Sequence, residues 1–345
     1  MVKKRKNAAQ SVTMADVARQ AGVSLVTVSR VVNNHEYVAE DTRAHVLHVI
    51  EQLGFQPNSI ARSLVSKHTR TIGLVTTDLG DYSFAQTISG AELEAARQNY
   101  FCLLASTEGI ADNEPQYVRL FKERYVDGLF FVRPSTDIFD ERLLRLLDGG
   151  IPIVTVSYHL PLENVRVVDI DNVDGAQQAV GHLIELGHRR IAMLTGPSEY
   201  KSVRDRNHGY ALTLEAARVP YDESLIVEGK WSYEGGYEAM KVLLGRGVSF
   251  SALFAQSDEI AIGAMQAFRE AGLRIPEDAS MVAYNDNRVA AYLDPALTTV
   301  RQAMCEIGQL GIQLLVRAIN GEVLEQREFL LRPQLIIRAS TKPAP

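Results

Sequence analysis

The chain has 345 residues, 46% of them apolar and 23% charged, with a net charge of −6 from 36 basic and 42 acidic groups. That balance fits a globular chain of two or three domains and excludes the collagen-like, coiled-coil-only and disordered classes. No apolar run reaches the ~18 residues of a spanning helix, no apolar stretch follows the basic residues 3–6 as a secretory signal requires, and the two cysteines, Cys102 and Cys305, make neither a disulfide framework nor a zinc site and fit a reducing cytoplasm.

The net charge hides an asymmetry. Residues 1–70 carry ten basic and five acidic groups, a balance of +5, which leaves −11 on the remainder. A small basic module on an acidic body points to nucleic acid at one end only. Thr13 with Asp16 three residues later has the capping-box spacing and starts a first helix through Val17, Ala18 and Ala21. Gly22 ends it, Ser24 caps a second helix through Thr27 to Val32, and small Ala18 and Gly22 are expected to permit the crossing that Val28 fills. A third helix starts near Glu40 and Asp41, has apolar Val46, Val49, Ile50 and Leu53 at helical spacing, and stops at Gly54. Two short capped helices around a glycine turn form a helix-turn-helix, and the charge and third helix agree with DNA binding.

Residues 13–33, from Thr13-Met14-Ala15-Asp16-Val17-Ala18 to Val31-Val32-Asn33, resemble the DNA-binding head of lactose-repressor-type (LacI/GalR) regulators. Gln56-Pro57-Asn58-Ser59-Ile60-Ala61-Arg62-Ser63-Leu64 resembles the family's hinge. The resemblance implies that the second helix reads the major groove, with Leu25 and Val26 at the positions that vary with operator sequence and Arg30 on a guanine. Thr13, Ser24, Thr27, Ser29 and Asn33 suit phosphate positioning, although each also reads as a cap or a solvated face. In the hinge, Asn58, Ala61 and Leu64 are implied to meet the minor groove, with Leu64 as an apolar wedge. From the residues alone Leu64 is equally an interface or core residue.

From Thr71 short apolar runs alternate with helical stretches. Strands are expected at 72–76, 102–105, 128–132, 153–156, 165–170, 191–194, 252–254 and 281–284. Helices are expected near 84–98, 114–125, 139–148, 174–187, 205–218, 234–246, 258–271 and 303–320. This alternation means α/β with doubly wound parallel sheets covered on both faces. The resemblance implies a two-lobed, periplasmic-binding-protein-like (type I) core behind an all-α helix-turn-helix head and a hinge helix. The expected boundaries are 1–56 for the head, 57–70 for the hinge and 71–345 for the core. Lobe 1 is expected at 71–170 with 303–330, and lobe 2 at 171–300 with 331–345.

Ligands of such sheets bind at the carboxyl ends of strands, and several residues there are candidates for effector binding. Phe84 follows the first strand, in a turn that lacks the family's Asn-Pro. Arg206, three residues before Gly209-Tyr210, matches the family's ligand-contacting arginine and offers a planar fork of donors, with an inter-lobe salt bridge as its other reading. Trp231, the only tryptophan, suits stacking on a sugar or base and equally a core position. Asp171, Asn285-Asp286 (the family often has Asp where Asn285 stands) and the weaker Ser157 and Tyr158 complete the set. His188, after Gly187, reads as a residue at a helix end.

No Walker loop, G-x-S-x-G or G-x-G-x-x-G occurs, so no enzyme, cofactor or metal is expected. The reading is a cytoplasmic, ligand-responsive, sequence-specific repressor. Its partners would be a pseudo-palindromic duplex operator, a small metabolite, and a second copy in a homodimer. A sugar is the favoured effector, with a nucleoside or purine, or a ligand-independent DNA-binding dimer, as alternatives.

Overall fold

The computed structural model describes residues 12–32, 37–55, 68–110, 112–123, 126–132, 140–148 and 150–345. They belong to two compact units, Met1–Thr69 and Arg70–Pro345. Asn33, Asn58, Ala61 and Leu64 lie outside the described residues, so their expected DNA contacts have no structural account.

Among its described residues the first unit holds three helices: α1 (Met14–Ala21), α2 (Leu25–Val32) and α3 (Glu40–Leu53). Thr13 Oγ1 accepts from Asp16 N at 3.4 Å while Thr13 N donates to Asp16 Oδ2 at 3.0 Å, which satisfies orphan donors at the start of α1. These bonds hold the Asp16 carboxyl below its ordinary pKa. Gly22 turns the chain at φ 64°. A Cβ built there would touch nothing, so the left-handed turn, not the expected close crossing, is what requires glycine. Ser24 Oγ accepts from Thr27 N at 3.1 Å and caps α2. Val17, Val28 and Val46 are fully buried where the three helices meet, with Val31, Val49 and Phe55 around them.

The second unit opens with β1 (Thr71–Thr76), α4 (Tyr82–Arg97), β2 (Phe101–Ser106), α5 (Asn113–Glu123), β3 (Gly128–Val132), α6 (Glu141–Leu147), β4 (Ile153–Val156) and β5 (Val165–Ile170). The chain then builds a second sheet and its helices. These are α7 (Asn172–Glu185), β6 (Ile191–Thr195), α8 (Lys201–Ala216), β7 (Ile226–Glu228), α9 (Tyr233–Gly245), β8 (Ala252–Ala255), α10 (Asp258–Glu270), β9 (Ser280–Asn285) and β10 (Thr298–Arg301). It returns with α11 (Met304–Ile319) and β11 (Glu328–Leu331), and crosses back for β12 (Gln334–Ile336). The strand orders are β11-β5-β4-β3-β1-β2 and β12-β10-β9-β8-β6-β7. Every pairing is parallel except β10 with β12. Among the described residues no helix is long and apolar enough to cross a membrane.

Both sheets carry apolar clusters on each face, one set around Phe130 and Phe131, the other around Leu253 and Phe254. Edge strand β2 is an exception to the expectation that all strands are covered on both sides: Phe101 is 76% exposed and Leu103 and Leu104 are also open. His188 closes the end of α7 as expected, its N donating to the Leu183 carbonyl at 3.0 Å, but its side chain does more than meet the helix pole. Its ring is buried, with Nδ1 2.9 Å from Ser251 Oγ and Nε2 3.0 Å from Ser280 Oγ, so it ties loop and strand together.

In each lobe one pair of helices crosses at backbone distance. A Cβ at Gly308 on α11 would overlap the carbonyl oxygen of Thr87 on α4, and one at Gly263 on α10 would overlap that of Tyr233 on α9. Neither carbonyl is the flexible end of a side chain, so the helices themselves must separate. Gly308→Ala should therefore cost at least the ~1–3 kcal/mol of an overpacked core, read as a lower denaturant midpoint with unchanged slope. A midpoint equal to the parent's would show that the crossing gives way freely.

Candidate functional site

A cleft of about 630 Å³ opens between the two sheets of the second unit, at the carboxyl ends of their strands. Such a position gathers loops and helix N-termini from several βα units. The first sheet's side contributes residues 77–78 and 80–84 from the β1–α4 turn, Ser157 after β4, Asp169 on β5, and Gln302 and Met304 at a crossing. The second contributes Asn172, the start of α8, residues 231–233 before and within α9, Ser257 and Glu259, and Asn285 with residues 287–289 after β9.

Phe84, Arg206, Trp231 and Asn285, four of the residues singled out from sequence, line this cleft. Arg206 is its anchor. The side chain is 5% exposed, its Nε donates to Asn172 Oδ1 at 2.9 Å, and Nη1 donates to the Gln256 carbonyl at 2.5 Å. Its guanidinium carbon lies 3.8 Å from the Tyr284 ring centre and 5.8 Å from that of Trp231. Burial pulls its pKa down, against the pull of Tyr284 and of Asp169. No ion pair to a carboxylate holds it among the described residues, so the inter-lobe salt-bridge reading gives way to a hydrogen-bonded, ring-stacked cation. Trp231 has both expected characters: half-buried, it packs against the core of the second lobe and over Gly196, and it also lines the cleft, 6.4 Å from Tyr200 between ring centres.

Asn285 has φ 117° and Asp286 φ 57°, a strained pair of the kind that clusters at ligand sites. Asn285 Oδ1 accepts from Gln302 Nε2 at 2.6 Å, which occupies one of its two lone pairs. Asp286 is paired to Arg301 at 2.7 Å and Arg338 at 2.6 Å.

Two expected residues are elsewhere. Tyr158 is 1% exposed in the core beside Phe131 and Leu143. Ser157, at φ 54°, reverses the chain there, and it is Ser157 that faces the cleft. Asp171 is the N-cap of α7, accepting from Asp174 N at 2.9 Å, and does not line the cleft.

The site also contains residues the sequence reading missed. Asp169 is 2% exposed, and its Oδ1 accepts from Ser157 Oγ at 2.6 Å and Ile170 N at 2.8 Å. Burial pushes its pKa up, opposed by the Ser157 hydroxyl and by Lys201. Lys201 Nζ stands 4.0 Å from Asp169 Oδ2 and 2.6 Å from Asp205 Oδ2. The signal for Asp169 was a charged residue inside an apolar run, which is costly to bury without a purpose. Behind the lining, between Ser257 and Glu259, Asp258 is fully buried, held by Thr299 Oγ1 at 2.7 Å and Asn287 N at 2.6 Å, and burial pushes its pKa up to about 7. His159, Asp169 and Glu328 bring three potential metal-ligand atoms within 4.8 Å of one another. Lys201 stands beside Asp169 and already supplies a positive charge to that group.

Residues 13–58 match the family described as bacterial regulatory proteins, lacI family, and residues 180–341 match a periplasmic binding protein-like domain. The chain is 34% identical over 335 residues to the HTH-type transcriptional repressor PurR of Haemophilus influenzae, covering 96% of this chain and 98% of that protein. The chain belongs to the lacI family of bacterial regulatory proteins. Solved structures of regulators agree over nearly the whole length. A complex of the transcriptional regulator CelR with cellobiose is 34% identical, with a TM-score of 0.73 and coverage of 95% of this chain and 99% of that one. A lac repressor dimer bound to operator and the anti-inducer ONPF is 28% identical, with a TM-score of 0.82 and coverage of 96% and 100%.

In this lacI-family head, Leu25 and Val26 are 53% and 59% exposed at the start of α2, and Arg30 is exposed on the same helix. Thr13 and Ser24 serve as caps, Thr27 is half-buried with its Oγ1 2.9 Å from Ser24 Oγ, and Ser29 is half-buried.

Proposed function

We propose that this protein is a ligand-responsive, sequence-specific transcriptional repressor. A homodimer binds a pseudo-palindromic operator through α2, and a small metabolite in the cleft changes operator affinity. The cleft carries this reading: its walls combine aromatic faces with buried hydrogen-bonding groups at the carboxyl ends of both sheets, on a chain whose other unit exposes two large apolar side chains and an arginine on a short capped helix. A surface apolar residue at such a position has a use against thymine methyls, and arginine against guanine.

The cleft's volume suits a mono- or disaccharide, and the mixture of rings with carboxylate and amide groups suits a polyol. That the CelR relative was solved with cellobiose supports a sugar. A purine is the second reading, supported by the PurR relatives and by the Tyr200 and Trp231 rings on which a base would stack. The exposed edge formed by Phe101, Leu103 and Leu104, with Leu93 on α4, is the apolar surface a second copy would cover. The relatives named are regulators, and the reading is of a binding protein, not an enzyme.

Selection from a randomised duplex library tests it. The selected sites should be two-fold related half-sites, mirroring the dimer's symmetry, and a metabolite that changes Trp231 fluorescence should alter their affinity. Recovery of no enriched sequence, or of single unrelated half-sites, would count against the proposal.

A further inference from the structure

We propose that the effector carries a protonated amine, held across the cleft between Asp81 on one lobe and Glu259 on the other, with the Asn287 amide oxygen as a third acceptor. This rests on the reading of the cleft as the effector site and names the chemistry of what it holds.

Charge comes first. Among the groups that line the cleft, Lys201 and Arg206 lie in the field of Asp169 and Asp205. That leaves Asp78, Asp81 and Glu259 with only the exposed Arg288 among the described lining residues. Carboxylates from both lobes therefore line one cleft with a single exposed cation beside them. Burial raises the Glu259 pKa, with the Asp81 charge adding to it, and burial raises that of Asp81, with the Asp78 charge adding there. A cation entering between them would relieve both effects.

Hydrogen bonding is independent of this. Asn287 is 6% exposed and lines the cleft. Its Nδ2 donates to Glu259 Oε1 at 2.5 Å, which fixes the amide orientation and leaves Oδ1 buried with no hydrogen-bond partner among the described residues. A buried acceptor of this kind costs free energy until a donor arrives. Asp81 spends Oδ1 on Phe84 N at 3.0 Å as a helix cap, so the Asp81–Glu259–Asn287 set offers further acceptors and asks for several donors on one group. An ammonium has three donors and no acceptor.

Calorimetry at pH 7 on the full-length protein tests this with glucosamine, galactosamine and mannosamine, each beside its parent sugar and its N-acetyl form. At least one amine should bind ten or more times tighter than both neutral counterparts. Glu259→Gln and Asp81→Asn, which keep shape and the helix cap, should each erase that preference while circular dichroism and melting temperature stay near the parent's. A neutral sugar that binds as tightly as its amine, or a preference that survives both substitutions, overturns the cation and leaves the effector cleft standing. Calcium binding abolished by the same two substitutions overturns it in favour of a metal. Failure of all nine compounds overturns it too. The cleft reading itself fails separately, if a broad metabolite panel leaves Trp231 fluorescence unchanged.

Discussion

Arg206→Ala should abolish the response to any cleft ligand and lower the stability of the second unit by about 3 kcal/mol, the sum expected from two hydrogen bonds made by a charged donor. The side chain is buried, so the loss is not repaid by solvent. Its removal leaves Asn172 Oδ1 without the donor it had at 2.9 Å, and the Tyr284 ring without the cation stacked at 3.8 Å. The Gln256 carbonyl loses its donor as well. At roughly 2–4 °C per kcal/mol for a domain of this size, the melting temperature should fall by roughly 6–12 °C. Arg206→Lys should not rescue ligand binding, because one ammonium cannot reproduce a planar fork that serves two acceptors and stacks on a ring. Thermal denaturation and ligand titration on the same samples separate the two effects. If Arg206→Lys bound ligand like the parent, charge alone would matter and the fork geometry would not.

Arg30→Ala should relax base preference at one position of each half-site by ~1–3 kcal/mol and leave the other positions unchanged. Arg30 is exposed on α2, with no ion pair among the described residues, so its loss should not disturb the core of Val17, Val28 and Val46. Non-specific affinity should fall only slightly, since one of several cationic contacts is removed. Thr27→Val offers the contrast: loss of its hydroxyl should weaken binding about equally for all sequences, because a phosphate contact carries no base information. Binding profiles over an operator library read both outcomes. An Arg30→Ala profile that matched the parent's would remove Arg30 from base reading.

Much of this was legible before any coordinates because local signals and tertiary demands agree. Thr13, Asp16, Gly22 and Ser24 fix two helix ends by backbone chemistry alone, and apolar runs such as Gly128–Val132 are buried throughout, as parallel strands must be. Elements without such a signal were missed. β7 has three residues, and β11 and β12 are partly exposed, so none presents a long apolar run. In the cleft, Arg206 and Trp231 were found by the resemblance, whereas Phe84 and Asn285 follow strand ends that periodicity exposes. Asp169 does not, because it lies within β5, and its value depends on Lys201, which is 32 positions away and arrives from the other lobe. Tyr158 was misplaced for a local reason: one residue at positive φ, Ser157, exchanged which of two neighbours faces the cleft. Glu259 and Asp81 are ordinary helix-start acids in sequence, and only the packing of two lobes sets them against each other.

The central claim is that the cleft and the DNA-binding head share a coupling free energy, which must act equally in both directions. Operator affinity should be measured by fluorescence anisotropy, on the selected site, with and without a metabolite that perturbs Trp231, for the parent and for Arg206→Ala. The parent's affinity should change at least tenfold, and that of Arg206→Ala should not change while its ligand-free affinity stays within a few-fold of the parent's. An unchanged parent affinity at saturating metabolite, or an equal response from Arg206→Ala, would contradict the account.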